Sequence, residues 1–400
     1  MLQVEDAQAR VMAEVAAGAA ESVPLDDSLG RVLREDVVAT HDLPGADNSA
    51  MDGYAVRAED IAHPPVTLPV IADIPAGHPT ELRLEPGTAM RIMTGAFVPD
   101  GADAVVQVEL TDGCLERVAI LKALPPGASI RRRGEDMHAG DVVLRAGVRI
   151  GPAEIAILAS AGKARVQAGR RPTVAILSTG DELIDVGETP GPGQIVNTNG
   201  SLLAALVREA GAIARPLGIV RDTREATIAA FERAIESDFV ISSGGVSVGA
   251  FDFVKEALDA LGAEAKFWRV AMKPGKPVVL SRLRDRLVFG LPGNPVSCFV
   301  SFHLFVAPAL RKAMGQEAQL YPPAVRARLT ATLRGAEERR VYARVQVTAR
   351  DGALFATPLT SQSSGALTSM LTANGLAVVA PGERVEAGAD VEVLLLALPT

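Results

Sequence analysis

The residues of this 400-residue chain that could do chemistry sit at a few glycine-rich turns. Asp238 to Phe253 reads DFVISSGGVSVGAFDF: an apolar run, a turn of serines and glycines, then Asp252 at the head of a helical pattern. Glycine lets backbone approach a ligand closely, and the first N–H groups of a helix lack internal partners and carry partial positive charge. Ser243, Gly244, Gly245, Ser247 and Gly249 therefore form a possible phosphate cradle, though any α/β domain can use such a turn structurally. A carboxylate at Asp252 would repel bound phosphate unless a cation came between them, the usual arrangement for Mg²⁺ at a pyrophosphate. The plainer reading is an acidic residue favouring a helix N-terminus.

Three further strings belong with this one. Lys273 and Lys276 flank Pro274-Gly275, and two ammonium groups on a proline-stiffened loop suit a small oxyanion. Solvated lysines at a turn are the alternative. Pro292, Gly293 and Asn294 lead into a helix pattern in which Ser297 offers a hydroxyl near the N-terminus. In STGDEL, Ser178 or Thr179 reads as an N-cap with Asp181 and Glu182 in the first helical turn, and Asp222 reads as the cap of the next helix.

The elements that must position these residues follow from periodicity. From Arg171, buried-strand runs alternate with helical patterns, for example TVAILSTG, SLLAALVREAG, ARPLGIV and REATIAAFERAIES. A long helix is expected over roughly 295–314. This alternation implies a mostly parallel sheet covered on both faces, with ligands at the carboxyl ends of its strands. Before it come a helix over 4–17, a short helix around 25–33, and a run of short β segments from Tyr54 to about Asp136. Then follow a strand-like DVVLRAGVRI and a helix over 152–161. After Pro322-Pro323 the pattern is β again, a small barrel or sandwich.

Composition narrows the function classes. Hydrophobic residues make up 48%, enough for sizeable cores, with aromatics only 4%. The net charge is −8 and no basic stripe is present, which argues against a general nucleic-acid binder. Two distant cysteines and five scattered histidines have no zinc spacing, so any metal should be a hard ion on carboxylates. The polar, acidic start does not read as a signal peptide, no apolar run reaches transmembrane length, and a cytoplasmic protein is expected.

SSGGVSVG, MKPGKP and LPGNPVS, in that order, together with DNSAMDGYAV at Asp47 to Val56, resemble the molybdopterin molybdenumtransferase (MoeA) family, which includes the gephyrin E domain. The resemblance covers nearly the whole chain. It implies a multidomain α/β plus β protein: 1–43 and 139–170 as a discontinuous elongated linker and dimerisation domain, 44–138 as an inserted β domain, 171–318 as the α/β molybdopterin-binding domain, and 319–400 as a C-terminal β domain. It implies roles for Asp52, for Thr94 in RIMTGAFVP, for Asp136 in RRRGED, and for Glu182 and Asp222. It also implies that Arg344 and Ser369 lie around molybdate, with Ser364 a cofactor-binding residue in the matching serine pair. Asp252, with Glu182 and Asp222, would hold Mg²⁺. Arg269 stands where some relatives have lysine, and Gly365 follows the serine pair where relatives have a basic residue.

The activity so implied is insertion of molybdate into adenylylated molybdopterin, with cleavage of the phosphoanhydride and release of AMP. A homodimer with shared active sites is implied, with handover from the adenylyltransferase upstream and to molybdoenzymes downstream. The alternatives are an ATP-using molybdopterin adenylyltransferase, which shares the α/β domain alone, and a non-enzymatic scaffold.

Overall fold

The computed structural model describes residues 1–246 and 253–399. Ser247, Gly249 and Asp252 lie outside the described residues. The chain divides into two compact units. One comprises Met1–Glu35, Ala146–Pro152 and Arg165–Thr400; the other comprises Asp36–Arg145 and Ala153–Ala164. Within the first, Ala20–Pro24 pairs antiparallel with Arg165–Gly169, a ladder that ties together chain lying on either side of the second unit's residues.

The first unit is built on a six-stranded sheet in the order Ile213–Val220, Thr173–Thr179, Phe239–Ser243, Arg286–Leu291, Val279–Leu283, Glu264–Trp268. The first four strands run parallel and the last two pairings are antiparallel. Successive side chains point to opposite faces. Val174, Ile176, Phe239, Ile241 and Phe289 accordingly join one core cluster, with Leu203, Val207 and Leu310. Ala175, Leu177, Val240 and Val288 join the other, with Phe231, Val254 and Leu258. Both faces are therefore covered, which is why these strands read as continuous apolar runs rather than alternating ones.

Helices Thr198–Glu209 and Arg224–Ala234 begin at caps the sequence reading did not choose. Asn197 accepts from the Gly200 N–H, and Thr223 accepts from the Ala226 N–H. Asp222 is therefore not the cap of the helix it precedes. STGDEL starts no helix either: Leu183–Ile184 pairs in parallel with Ile195–Val196, and the helix waits until Thr198. The short helix expected around 25–33 is only a 3₁₀ turn, Leu25–Asp27, with Gly30 at φ +75° soon after it. The long helix is continuous from Pro295 to Ala313 but widens to a π turn over Phe302–Val306. Pro308 explains the widening, since its ring excludes the carbonyl four residues back and it offers no N–H. By length and composition this helix could cross a membrane, but 78% of its apolar window is buried in the core.

After residue 320 the strands close on themselves. Arg340–Arg350 pairs with Ala353–Pro358, which pairs with Ala324–Leu329, then Asp390–Leu395, then Gly375–Val379, which returns to Arg340–Arg350. The result is a five-stranded barrel around Val345, Val347, Ala377 and Val393. The second unit holds a five-stranded sheet in the order Ala104–Gln107, Gly53–Val56, Ala89–Ile92, Val66–Ile74, Arg117–Ile120. Gly53 is required there, because a Cβ would lie 2.0 Å from the Val106 carbonyl oxygen.

Asp238 fastens the base of the first sheet. Its carboxylate accepts from Arg170 Nη1 and Nη2 at 3.0 and 2.7 Å, and from the Thr173 N–H and Oγ1 at 2.8 and 2.9 Å. Burial alone would raise this carboxyl, but the bonds from Arg170 and Thr173 outweigh it and lower the pKa to about 2. A depressed pKa means the contribution is present above the ordinary value of 3.8 and is lost as pH falls through about 2. Asp238→Asn should therefore cost about 1–2 kcal/mol near pH 7, a figure discounted because Arg170 is partly exposed. The gap from wild type in urea unfolding should narrow as the pH is lowered to about 3. An unchanged gap would show that the ionised carboxylate is not what stabilises the sheet base.

Candidate functional site

The parallel strands deliver their carboxyl ends to one edge of the sheet, and a cavity of about 520 Å³ opens there. Four walls form it. The first is the turn after Thr173–Thr179, with Thr179, Gly180 and Glu182. The second is the turn after Phe239–Ser243, with Ser243, Gly244 and Gly245. The third is Pro292, Gly293 and Asn294 at the start of the long helix. The fourth is Asn197 and Asn199 at the start of Thr198–Glu209, with Asp222 nearby. The volume lies within the usual range for small-molecule sites.

Gly244 shows why this turn needs glycine. Its φ is +93°, and a Cβ would lie 2.6 Å from the Thr179 carbonyl oxygen. The two turns can touch only if that side chain is absent. The Glu182 carboxylate folds back over Gly180, where a Cβ would lie 2.6 Å from Oε2. The Glu182 carbonyl meanwhile accepts from the Ile195 N–H at 2.8 Å, holding the short two-stranded ladder. The Asp222 N–H donates to Asp181 Oδ1 at 3.2 Å. Burial raises the Asp222 carboxyl above the usual aspartate value, and the nearby Asp181 and Glu182 carboxylates add to the rise. Negative charge is thus crowded at one side of the cavity.

Asn199 is a residue that sequence reasoning missed. Its Nδ2 donates to Ser243 Oγ at 2.8 Å and to the Gly293 carbonyl at 2.7 Å, bridging two of the walls. Its Oδ1 is buried with no partner among the described residues, as is Thr179 Oγ1. Both atoms belong to residues lining the cavity, so a polar ligand has unfilled positions to meet. The signal in the sequence is the Asn197-Thr198-Asn199-Gly200 string, a cap residue followed by the first residues of a helix.

Other motif residues converge near the start of the long helix. The Val296 N–H donates to the Ser364 carbonyl at 3.1 Å, so the serine-pair loop of the barrel docks on the first turn. Arg344 holds that loop: its Nη2 donates to the Ser361 and Ser363 carbonyls at 2.8 and 3.0 Å. Arg344 is 1% exposed, and Ser369, also buried, donates to the Ala366 carbonyl. Both side chains are turned into the loop rather than out of it. Met272–Lys273 pairs with Arg340–Val341, tying the KPGKP loop to the same barrel. Lys273 and Lys276 are exposed and form no ion pair among the described residues, while Pro277 reaches the cavity wall. Arg269 takes a φ of +91°, unusual for a residue with a side chain. Ser297 is buried in the first helical turn beside Cys298, whose thiol is pushed up to about 12 by burial despite a hydrogen bond with Ser243.

In the second unit, Asp52 Oδ1 accepts from both the N–H and Oγ1 of Thr94, each at 2.7 Å. These bonds hold the exposed Asp52 carboxyl below the usual value. The RRRGED run is less free than its charge suggests. Arg132 pairs with Asp47 at 2.5 Å, Arg133 pairs with Asp42, and the Arg133 N–H donates to Asp47 Oδ1 at 2.8 Å. Those arginines are used in holding the loop. Asp136 is exposed at its end. Among the described residues, no group of three His, Cys, Asp or Glu side chains is placed to hold a metal ion.

Comparison with known proteins adds an independent line. The model described as "MoeA N-terminal region (domain I and II)" matches residues 2–162, "Probable molybdopterin binding domain" matches 175–312, and "MoeA C-terminal region (domain IV)" matches 326–396. The chain is 39% identical over 405 residues to a Bacillus subtilis protein named molybdopterin molybdenumtransferase, covering 99% of this chain and 94% of that one. It is 42% identical over 386 residues to a protein of that name from Nostoc, covering 94% and 88%. A crystal structure of a MoeA molybdopterin biosynthesis protein from Pyrococcus horikoshii superposes with a TM-score of 0.84 at 30% identity, covering 99% of this chain and 100% of that one.

Proposed function

The chain belongs to the MoeA family of molybdopterin molybdenumtransferases, enzymes that insert molybdenum into molybdopterin during molybdenum cofactor biosynthesis, and from that premise we propose how it does so. The substrate is adenylylated molybdopterin. Its pyrophosphate lies against the Gly244–Gly245 turn, and molybdate is collected near Lys273, Lys276 and the helix start at Ser297. One phosphorus–oxygen bond of the anhydride breaks, AMP leaves with the bridging oxygen, and water or a molybdate oxygen replaces it on the remaining phosphate. The observation that carries this reading is the meeting of glycine-bearing turns and crowded carboxylates at one cavity. The family models matching on both sides of the α/β region disfavour the adenylyltransferase alternative.

A divalent cation fits the donor chemistry, because Asp222 and Glu182 are hard oxygen donors whose mutual repulsion a cation would relieve. With Asp252, they are the residues that would hold Mg²⁺, which when bound offsets the charge of the pyrophosphate. The protein's own task is positioning. Asn199 keeps the Ser243 and Gly293 walls in register, and backbone N–H groups meet the phosphate oxygens.

The test is AMP release by purified protein given adenylylated molybdopterin, Mg²⁺ and molybdate. Glu182→Gln and Asp222→Asn should each lower the rate by on the order of 10²-fold. Rates within about twofold of wild type would remove both from the mechanism. In the same assay, Lys273→Ala and Lys276→Ala should raise the molybdate requirement on the order of tenfold while leaving that for the pterin nearly unchanged. An equal rise for both substrates would assign the lysines to phosphate.

The reading extends to a homodimer in which Asp52, Thr94 and Asp136 of one chain serve the cavity of its partner, as the family resemblance of both motif sets supports. Mixing inactive Asp52→Ala protein with inactive Asp252→Ala protein should then restore about a quarter of wild-type activity, since one site of each heterodimer escapes both lesions. Absence of recovery after demonstrated subunit exchange would mean that each site is built from one chain.

A further inference from the structure

A second cavity, of about 730 Å³, lies in the first unit at the far ends of two helices that start at the first cavity. Thr198 lines the first cavity, and Leu206 and Glu209 of the same helix line the second. Pro295 lines the first, and Phe302, His303 and Arg311 of the long helix line the second. The eight-residue step from Thr198 to Leu206 rises about 12 Å and no residue lines both cavities, so the two are separate places.

The lining is chemically unusual. His303 lies in the π turn, packed edge-on against Phe299 and Phe302 with ring centroids 4.6 and 6.0 Å away. Its Nε2 is buried and has no hydrogen-bond partner among the described residues. Burial, with Arg311 nearby, lowers its pKa to about 4, so it is neutral at physiological pH. Arg311 spends one nitrogen on the Leu320 carbonyl, at 2.6 Å. Burial and the like charge of Arg149 hold its pKa below the ordinary value. Neither guanidinium forms a direct ion pair among the described residues, and the Glu209 carboxylate, which also lines the cavity, offsets part of the charge of Arg311. Leu206, Phe302, Leu395 and Leu396 supply an apolar wall.

We propose that this second cavity binds a small organic anion, a carboxylate or phosphate carried on an apolar body. Arg149 and Arg311 hold the head group, His303 Nε2 meets a polar atom of the ligand, and the leucine and phenylalanine wall receives the body. Two guanidinium groups face one carboxylate, Glu209, so the cavity keeps a net positive charge that an anion relieves, and the apolar wall favours an anion with an apolar body over a bare inorganic ion.

The probe is 8-anilinonaphthalene-1-sulfonate, an apolar body with one anionic head, titrated by fluorescence into the full chain. Its neutral counterpart is N-phenyl-1-naphthylamine. The Arg149→Gln/Arg311→Gln double variant should bind the anionic probe on the order of tenfold more weakly and the neutral one unchanged. Arg149→Gln alone, at an exposed residue whose side chain makes no hydrogen bond among the described residues, should weaken the anionic probe about threefold with the far-UV spectrum unaltered. Displacement of the probe by benzoate or by phenyl phosphate supports the site and identifies the preferred head group. Equal affinity of wild type and variants for the anionic probe, or displacement by neither competitor, overturns the proposal. So does a wild type that binds no probe while Arg149→Gln loses dimer mass, the result expected of a cavity closed by a second copy.

Discussion

The structure rests on the parallel pairing of Thr173–Thr179 between Ile213–Val220 and Phe239–Ser243. Parallel strands end together, so Thr179, Val220, Ser243 and Leu291 all release their chains at one edge of the sheet. Both faces are sealed by helices, and that edge is where backbone can remain open to a ligand. The glycines, the carboxylates and the helix starts of the first cavity are therefore consequences of strand direction. Asp238, bound to Arg170 and Thr173 at the opposite end, fixes the register from which these positions follow.

The barrel is joined to this edge through backbone more than through side chains. The KPGKP loop enters as a strand beside Arg340–Val341, and the serine-pair loop gives its Ser364 carbonyl to the first turn of the long helix. Arg344, nearly all buried, is what keeps that loop in shape. A guanidinium in such a place needs its donors filled, and two carbonyls fill them in part. Loops that look independent in the sequence are thus held as one surface.

Much of the fold was legible because its signals are local. Apolar runs bounded by glycine gave the strands of the α/β region, and the β character after residue 322 gave the barrel. The failures were failures of competition between local signals. STGDEL carries good cap chemistry, yet a two-residue ladder with Ile195–Val196 claims it first, and Asn197 caps instead. Asp222 looks like a cap, but Thr223 beside it has the right position. The charge run RRRGED carries no sign of its partners, and only the three-dimensional arrangement shows that Asp42 and Asp47, some ninety residues away, engage two of its arginines. Asn199 was missed because what it bridges, Ser243 and Gly293, is adjacent only after folding.

Cys298 gives the site a further property. It lies one turn into the long helix, fully buried, and its hydroxyl neighbour Ser243 faces the first cavity. Burial pushes the thiol up to about 12, so it stays protonated at neutral pH. The packing behind the cavity wall is what keeps this thiol protonated and unreactive. The side of the first cavity formed by Ser243 is thereby backed by a thiol that is chemically silent toward metal-ligand exchange and oxidation.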